Sequence, residues 1–445
     1  MPKSTTAFME GTRQTVGPDI QSMPSSASRA GQPVTAKPYR PDVVLLAAVL
    51  IGFNLLAFLL VQAANSNFQQ GDFKMFYTAA TALRFGHAGD LYSRDLYVTM
   101  QRQLLPWLPM QDVKVYTHPP YELLVFGPLS YLPYRAACYC WLVVTVLLAV
   151  LCGRLLSGYA AVLGLFPLLA TLLEQQDSVL ALLIVIGCWL VLREGRDVWA
   201  GFLLGFALFR FQIVVPFALV LLFWRPKLLK GMALSGTLVI LLSLAMVGPA
   251  GLGSYADYVS AMAHDSTTAV SQRYKVDPRT DPTMRGLAYE LASRGSESVS
   301  PAAARLLPVT IGLVDLLCLA VAWKFMRTDA PTNVKFAFAI LAGLLLSFHL
   351  LMHDLVLLAL PFVLLRGLPA RWALIPFYLT PLVYCFYPHS QAWLALLLVS
   401  SCLLIAFDRS VTGSALDIAA DSIPFNGVER VKADTMSRKH QSPLN

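Results

Sequence analysis

Gly71-Asp72-Phe73-Lys74-Met75-Phe76-Tyr77 opens a stretch, Asn65 to Pro133, that lies between two apolar runs and is too polar to cross a bilayer. The stretch continues through Gly89-Asp90-Leu91-Tyr92 and closes on Tyr116-Thr117-His118-Pro119-Pro120-Tyr121-Glu122. Phe73, Phe76, Tyr77, Ala80 and Leu83 fall at helical spacing, and so do Leu96, Met100, Gln103 and Leu104. This pattern predicts two amphipathic helices on the membrane surface, parted by the turn Phe85-Gly86-His87-Ala88-Gly89. Asp72 stands where the chain leaves the first span, and a lone acid ahead of an apolar-periodic run ordinarily caps the helix. Pro119-Pro120 fixes an extended backbone after His118 and sends the chain back toward the membrane. The aromatics around it, Tyr116, Tyr121, Phe126, Tyr131 and Tyr134, fit an interfacial belt.

The apolar runs on either side set the fold class. Of the 445 residues, 56% are hydrophobic and 13% charged; a soluble domain carries roughly twice that charge fraction. The chain therefore reads as an all-α polytopic membrane protein. Its formal charge of +8 includes no Lys or Arg run long enough to track phosphates, which argues against nucleic acid. The seven cysteines are scattered, mostly in apolar segments and without zinc-finger spacing, so they read as small hydrophobes.

Residues 1–42 read as a disordered tail, 43–407 as the membrane domain and 408–445 as a second polar tail. There is no cleavable signal peptide in this reading, since the first apolar stretch begins at Val43. Spans are expected near 43–61, 134–155, 159–173, 178–192, 198–209, 212–224, 231–249, 306–326, 334–348, 355–366, 371–387 and 391–407, about twelve in all, with outer loops at 64–133 and 250–305. A segment at 120–132, broken by Pro128 and Pro133, is expected to dip in and return. Several spans fall short of the roughly 20 residues of a straight crossing, as helices lining a cavity do. Threading them places Arg154, Arg193, Arg196, Arg225, Lys227, Lys230, Arg327, Lys335, Arg366, Arg371 and Arg409 in cytoplasmic loops. That is the positive-inside pattern, with both termini cytoplasmic.

The other side collects the unusual polar residues: Asp72, His118, Glu174-Gln175-Gln176-Asp177, Arg210-Phe211-Gln212, the turn Ser347 to Asp354, and Pro388-His389-Ser390-Gln391. A site at the outer leaflet has this distribution, whereas a transporter more often keeps its ionisable groups near the midplane. Arg210 interrupts an apolar stretch on the side the orientation rule disfavours. It reads either as an Arg reaching lipid headgroups or as a phosphate clamp. His349 and His353 share a face if their helix is continuous, but no third ligand completes a metal site with them. They read as helix-end histidines or as donors to a phosphate or sugar hydroxyl. Gln175, Gln176 and Asp177 fit a helix cap or a sugar-binding turn. In the second loop Tyr255, Arg273, Tyr274 and Arg285 carry no readable motif.

Taken together, Gly71-Asp72-Phe73, Phe76-Tyr77-x-Ala79-Ala80, Gly89-x-Leu91-Tyr92 and His118-Pro119-Pro120-Tyr121-Glu122 resemble glycosyltransferase family 87, integral membrane enzymes of the GT-C type. Pro128-Leu129, Leu132-Pro133, Gln175 to Ser178, Ala200-Gly201 to Gln212 and Ser347 to Asp354 agree in order and spacing. Arg210 stands where the family often has Lys, and Phe348 where it has Pro. The resemblance implies transfer of a hexose, typically mannose, from a polyprenyl-phosphate donor to a lipid or glycan acceptor at the extracytoplasmic face of the plasma (inner) membrane. It makes Asp72 the general base and Arg210, His349 and His353 the receivers of the donor phosphate. Tyr77, His118, Gln176, Asp177 and Gln212 become substrate contacts; no cofactor is required, and a divalent metal is optional. A non-catalytic carrier or flippase for lipid-linked sugars is the rival reading, since aromatic loops and a cationic pocket suit headgroup binding equally.

Overall fold

A computed structural model describes residues 51–60 (apart from 53, 57 and 58), 71–107, 113–263, 278–293, 300–366, 368–378 and 391–407. Both tails, most of the expected first span, His389, Arg273 and Tyr274 lie outside the described residues. Among those residues all regular structure is helical. Four stretches are long and apolar enough to cross a membrane: Tyr134–Leu155, Asp197–Leu222, Leu228–Ser260 and Arg305–Met326. Shorter apolar helices are Ser178–Arg193, Thr332–Leu345, Met352–Leu364 and Leu394–Phe407.

The sequence boundaries hold at Tyr134–Leu155 and Ser178–Arg193 and shift elsewhere. The expected span 159–173 divides into Tyr159–Leu163 and Phe166–Glu174, with Pro167 in the first turn of the second helix, where a missing N–H leaves nothing unpaired. The boundary expected at 249 falls at a break within Leu228–Ala263, and residues 250–263 of the expected second outer loop are helical. The break is at Gly248, whose φ of 67° a side chain would disfavour.

Asp197–Leu222 is not one straight rod. A Cβ on Gly201 would lie 2.1 Å from the carbonyl oxygen of Leu228, and one on Gly231 would lie 1.8 Å from that of Val198. Leu228 thus returns to the level of Gly201. A straight helix would put Leu222 about 30 Å past Gly201, and six residues at about 3.4 Å each cannot recover that distance. The chain turns at the 3-10 segment Phe206–Arg210, where Arg210 leaves helical geometry at φ −106°, ψ 49°. The sequence places the reversal at this residue.

In the first loop, helices Phe73–Arg84 and Arg94–Leu104 stand where the spacing predicts them. The first does not lie with a polar face open. Every residue from Phe73 to Ala82 is buried, including Lys74, Thr78 and Thr81. Thr78 turns its hydroxyl inward to the Lys74 carbonyl at 2.6 Å, so its polar group is satisfied within the helix. The second helix buries Tyr97, Met100 and Gln101, a face rotated away from Gln103. Of the five aromatics expected in an interfacial belt, Tyr131 stays exposed while Tyr116, Tyr121, Phe126 and Tyr134 are buried. Phe126 stacks on Phe76 at 4.3 Å, and Tyr134 meets Tyr77 edge-on at 5.2 Å. Aromatic burial of this kind gives the loop its own core. A second core runs through the helices from Ala149 to Ile405.

Candidate active site

Asp72 is positioned by the close approach of two backbones. Its N–H donates to the Glu174 carbonyl at 2.7 Å, and a Cβ on Gly71 would stand 2.9 Å from that same oxygen. Asp72 occupies the cap position of helix Phe73–Arg84, yet its carboxylate makes no capping bond. Instead Oδ1 contacts the Lys114 ammonium and Oδ2 accepts from the Gln176 amide. A cap carboxylate withheld from the helix is free for other work.

The turn that supplies Gln176 is built on Gln175, whose φ of 57° ends helix Phe166–Glu174. Trp141 Nε1 donates to the Gln175 carbonyl at 3.1 Å, and Gln176 N to the Thr171 carbonyl at 2.9 Å. Asp177 repeats the pattern of Asp72: it stands at the cap of Ser178–Arg193 and makes no cap bond. Its Oδ1 takes the Arg210 guanidinium, which also donates to Gln176 and lies 3.3 Å from Asp354 Oδ1. Ser178 Oγ and the Leu351 N–H donate to the two Asp354 oxygens at 3.1 Å each. Burial acts to raise the Asp177 pKa, but the guanidinium outweighs it and holds the carboxyl well below its ordinary value.

His118 sets Nδ1 2.8 Å from Glu122 Oε2 and 3.6 Å from Asp177 Oδ2. Tyr116 donates its hydroxyl to Glu122 Oε2 at 3.0 Å, and Tyr92 donates to the His118 carbonyl at 2.8 Å. Burial lowers the tendency of the ring to charge, yet the Glu122 and Asp177 carboxylates prevail and push its pKa up to about 9.

His349 and His353 do not share a helical face. The 3-10 segment Met352–Leu358 starts after His349, and the rings go to different acids. His353 Nδ1 meets Glu174 and its Nε2 lies 3.6 Å from Asp354 Oδ1, whereas His349 Nδ1 lies 3.1 Å from Asp281 Oδ1. Burial raises the Asp281 pKa, opposed by the His349 ring and Arg285. Arg285 itself donates to the Phe348 carbonyl at 2.8 Å. Two further candidates stand apart from this network. Tyr77 gives its hydroxyl to the Leu132 carbonyl at 2.8 Å, and Gln212 takes the Ser347 hydroxyl on its backbone carbonyl at 2.8 Å.

Asp72, His118, Gln176, Asp177, Arg210 and His353 thus form one continuous chain of contacts, although the sequence spreads them over five separate stretches. Exposure divides it. The Lys114 and Glu174 side chains are 50% and 48% exposed and Asp72 13%, while Asp177, Asp354, Arg210 and His353 are at 5% or less. Asp72 is reachable by a substrate; Arg210 is committed to protein carboxylates behind it. Sequence reasoning missed Lys114, Glu122, Glu174 and Asp281 as site residues. Lys114 lies in a loop that also carries Lys74, Arg84, Arg94 and Arg102, so nothing local marked it, whereas Glu122 stands one helical turn after His118.

The family model described as glycosyltransferase family 87 matches residues 116–353, a little over half of the chain. The matched segment takes in His118, Glu122, Gln176, Asp177, Arg210, His349 and His353 and begins after Asp72. Among curated proteins and among solved structures nothing matches.

Proposed function

Because the chain belongs to glycosyltransferase family 87, we propose that it moves a hexose, mannose in the family's usual case, from a polyprenyl-phosphate donor to a lipid or glycan acceptor. The reaction takes place at the extracytoplasmic face of the plasma (inner) membrane, in a GT-C-type domain of about a dozen crossings with both termini cytoplasmic.

The observation that carries this reading is the Asp72 carboxylate: at a helix cap, unused for capping, partly exposed, and oriented by Lys114 and Gln176. A general base needs a carboxylate that is reachable and fixed in direction. Asp72 takes the proton of the acceptor hydroxyl as that oxygen attacks the anomeric carbon. The bond from this carbon to the phosphate oxygen breaks, and the configuration inverts. The phosphate leaves as an anion and needs cations rather than a proton. Lys114 and His349, whose side chains are 50% and 21% exposed, are the accessible ones. Arg210 and His353 act from the buried side, fixing Gln176, Asp177 and Glu174.

Proteoliposomes holding wild type or Asp72→Asn, supplied with radiolabelled polyprenyl-phosphate-mannose and host lipid and glycan extract, test the proposal. Label on a new product with wild type, lost in a mutant of unchanged thermal stability, is expected. Donor binding without turnover across a panel of sugars would overturn the reading in favour of a carrier.

A further inference from the structure

Three buried ligand atoms converge beside the Arg210 network. His118, Glu122 and Asp177 are 7%, 2% and 1% exposed, and each offers one donor atom within 4.8 Å of the other two. His118 Nδ1, Glu122 Oε1 and Asp177 Oδ2 have no hydrogen-bond partner. His118 Nδ1 stands 2.8 Å from Glu122 Oε2, an approach that needs either a proton or a metal ion between the two atoms. Buried polar atoms without partners are costly, and three aimed at one spot point to a missing shared partner.

Charge says what that partner is. Arg210 sets one nitrogen on Asp177 and another 3.3 Å from Asp354, so one guanidinium is shared by two carboxylates, and the cation-forming group beside Glu122 is His118, itself one of the three ligands. Donor atoms around an ion bound at about 2.1 Å stand about 3–4 Å apart, and the 3.6 Å from His118 Nδ1 to Asp177 Oδ2 fits that spacing. Two carboxylates with one imidazole suit a first-row divalent ion better than Ca²⁺ or Mg²⁺, which favour all-oxygen sets.

We propose that His118, Glu122 and Asp177 form a binding site for a divalent transition ion of the Mn²⁺ or Zn²⁺ class. Asp177 then bridges the ion and Arg210, one oxygen to each. The Tyr116 hydroxyl bond to Glu122 and the Tyr92 bond to the His118 backbone hold two of the ligands from outside, as supporting groups of metal ligands do. The ion would tie the Pro119-Pro120 turn of the first loop to the 174–177 turn that orients Asp72.

The test reads bound metal directly, so its result is separable from sugar transfer. Full-length protein in nanodiscs is stripped with EDTA, dialysed and titrated with Mn²⁺ under electron paramagnetic resonance. The expected result is one tightly held Mn²⁺ per chain, displaced by Zn²⁺, with spin-echo modulation from an imidazole nitrogen. His118→Gln should abolish that modulation, Glu122→Gln should weaken binding by about 10²-fold or more, and His349→Gln should change neither. Binding far below one ion per chain, bound Mn²⁺ without imidazole modulation, or modulation that survives in His118→Gln would overturn the proposal. The wild-type spectrum decides even where a variant fails to fold.

Discussion

Gln176 donates through Nε2 to Asp72 Oδ2, across 104 residues of chain, while its Oε1 accepts from Arg210. An amide has one donating and one accepting end, so a carboxylate on one side and a guanidinium on the other fix its orientation. Arg210 is in turn held by Asp177 and Asp354. The direction of the Asp72 carboxylate is therefore set by a relay that begins in the buried interior.

Separating the base from its positioner is the first prediction. Asp72→Asn should lower kcat by about 10²–10⁴-fold, the usual worth of a general base. Gln176→Met keeps the carboxylate but frees its direction, and misplacement at a reacting centre costs up to about 10²-fold. For Gln176→Met the loss should fall in kcat with donor KM nearly unchanged. Steady-state transfer kinetics check both; equal losses in the two variants would show that Gln176 does more than orient.

Arg210 should matter first to stability. Arg210→Met leaves Asp177 and Asp354 buried without their guanidinium, and removing one partner of such a pair costs about 3–5 kcal/mol. Arg210→Lys retains the charge but not the planar fork that reaches Gln176, Asp177 and Asp354 together, so it should recover only part of the loss. Thermal unfolding in detergent gives the order wild type, Lys, Met. Had Arg210 faced open lipid headgroups, all three would melt alike.

Hydropathy carried much of the fold, because long apolar helices leave local traces in the chain. Which face of a helix another part of the protein covers leaves none. Phe73–Arg84 reads as amphipathic, yet its polar side is enclosed, Lys74 and Thr78 included. The site was legible wherever a polar residue broke an apolar stretch, as at Arg210, Gln176 and Asp177. Glu122 and Lys114 sit in polar surroundings where a charge is unremarkable, and only the packing of distant turns gives them partners.

Gly71 is the second backbone device of the site. A Cβ there would press on the Glu174 carbonyl at 2.9 Å, and a backbone oxygen cannot swing aside as a side chain can. Gly71→Ala should lengthen the bond from Asp72 N to Glu174 and move the base. Overpacking of this kind costs about 1–3 kcal/mol. A fall in kcat together with a lower Tm is expected, against little change for Gly89→Ala, where a Cβ meets nothing within 4 Å.

His349 and Asp281 make the phosphate role testable apart from the base. With Nδ1 held 3.1 Å from Asp281, the ring has its other nitrogen fixed in direction. If that nitrogen meets the donor phosphate, His349→Ala removes a charge-assisted hydrogen bond of about 1.5–3 kcal/mol. Donor KM should then rise by about tenfold to a hundredfold while acceptor KM stays put. Asp281→Asn leaves the ring in place but weakens its orientation, so it should move donor KM in the same direction by less. A pair that serves only to pin the 278–293 segment against the Ser347–Asp354 turn would lower Tm in both variants and leave donor KM untouched. That outcome would return the phosphate to Lys114 alone.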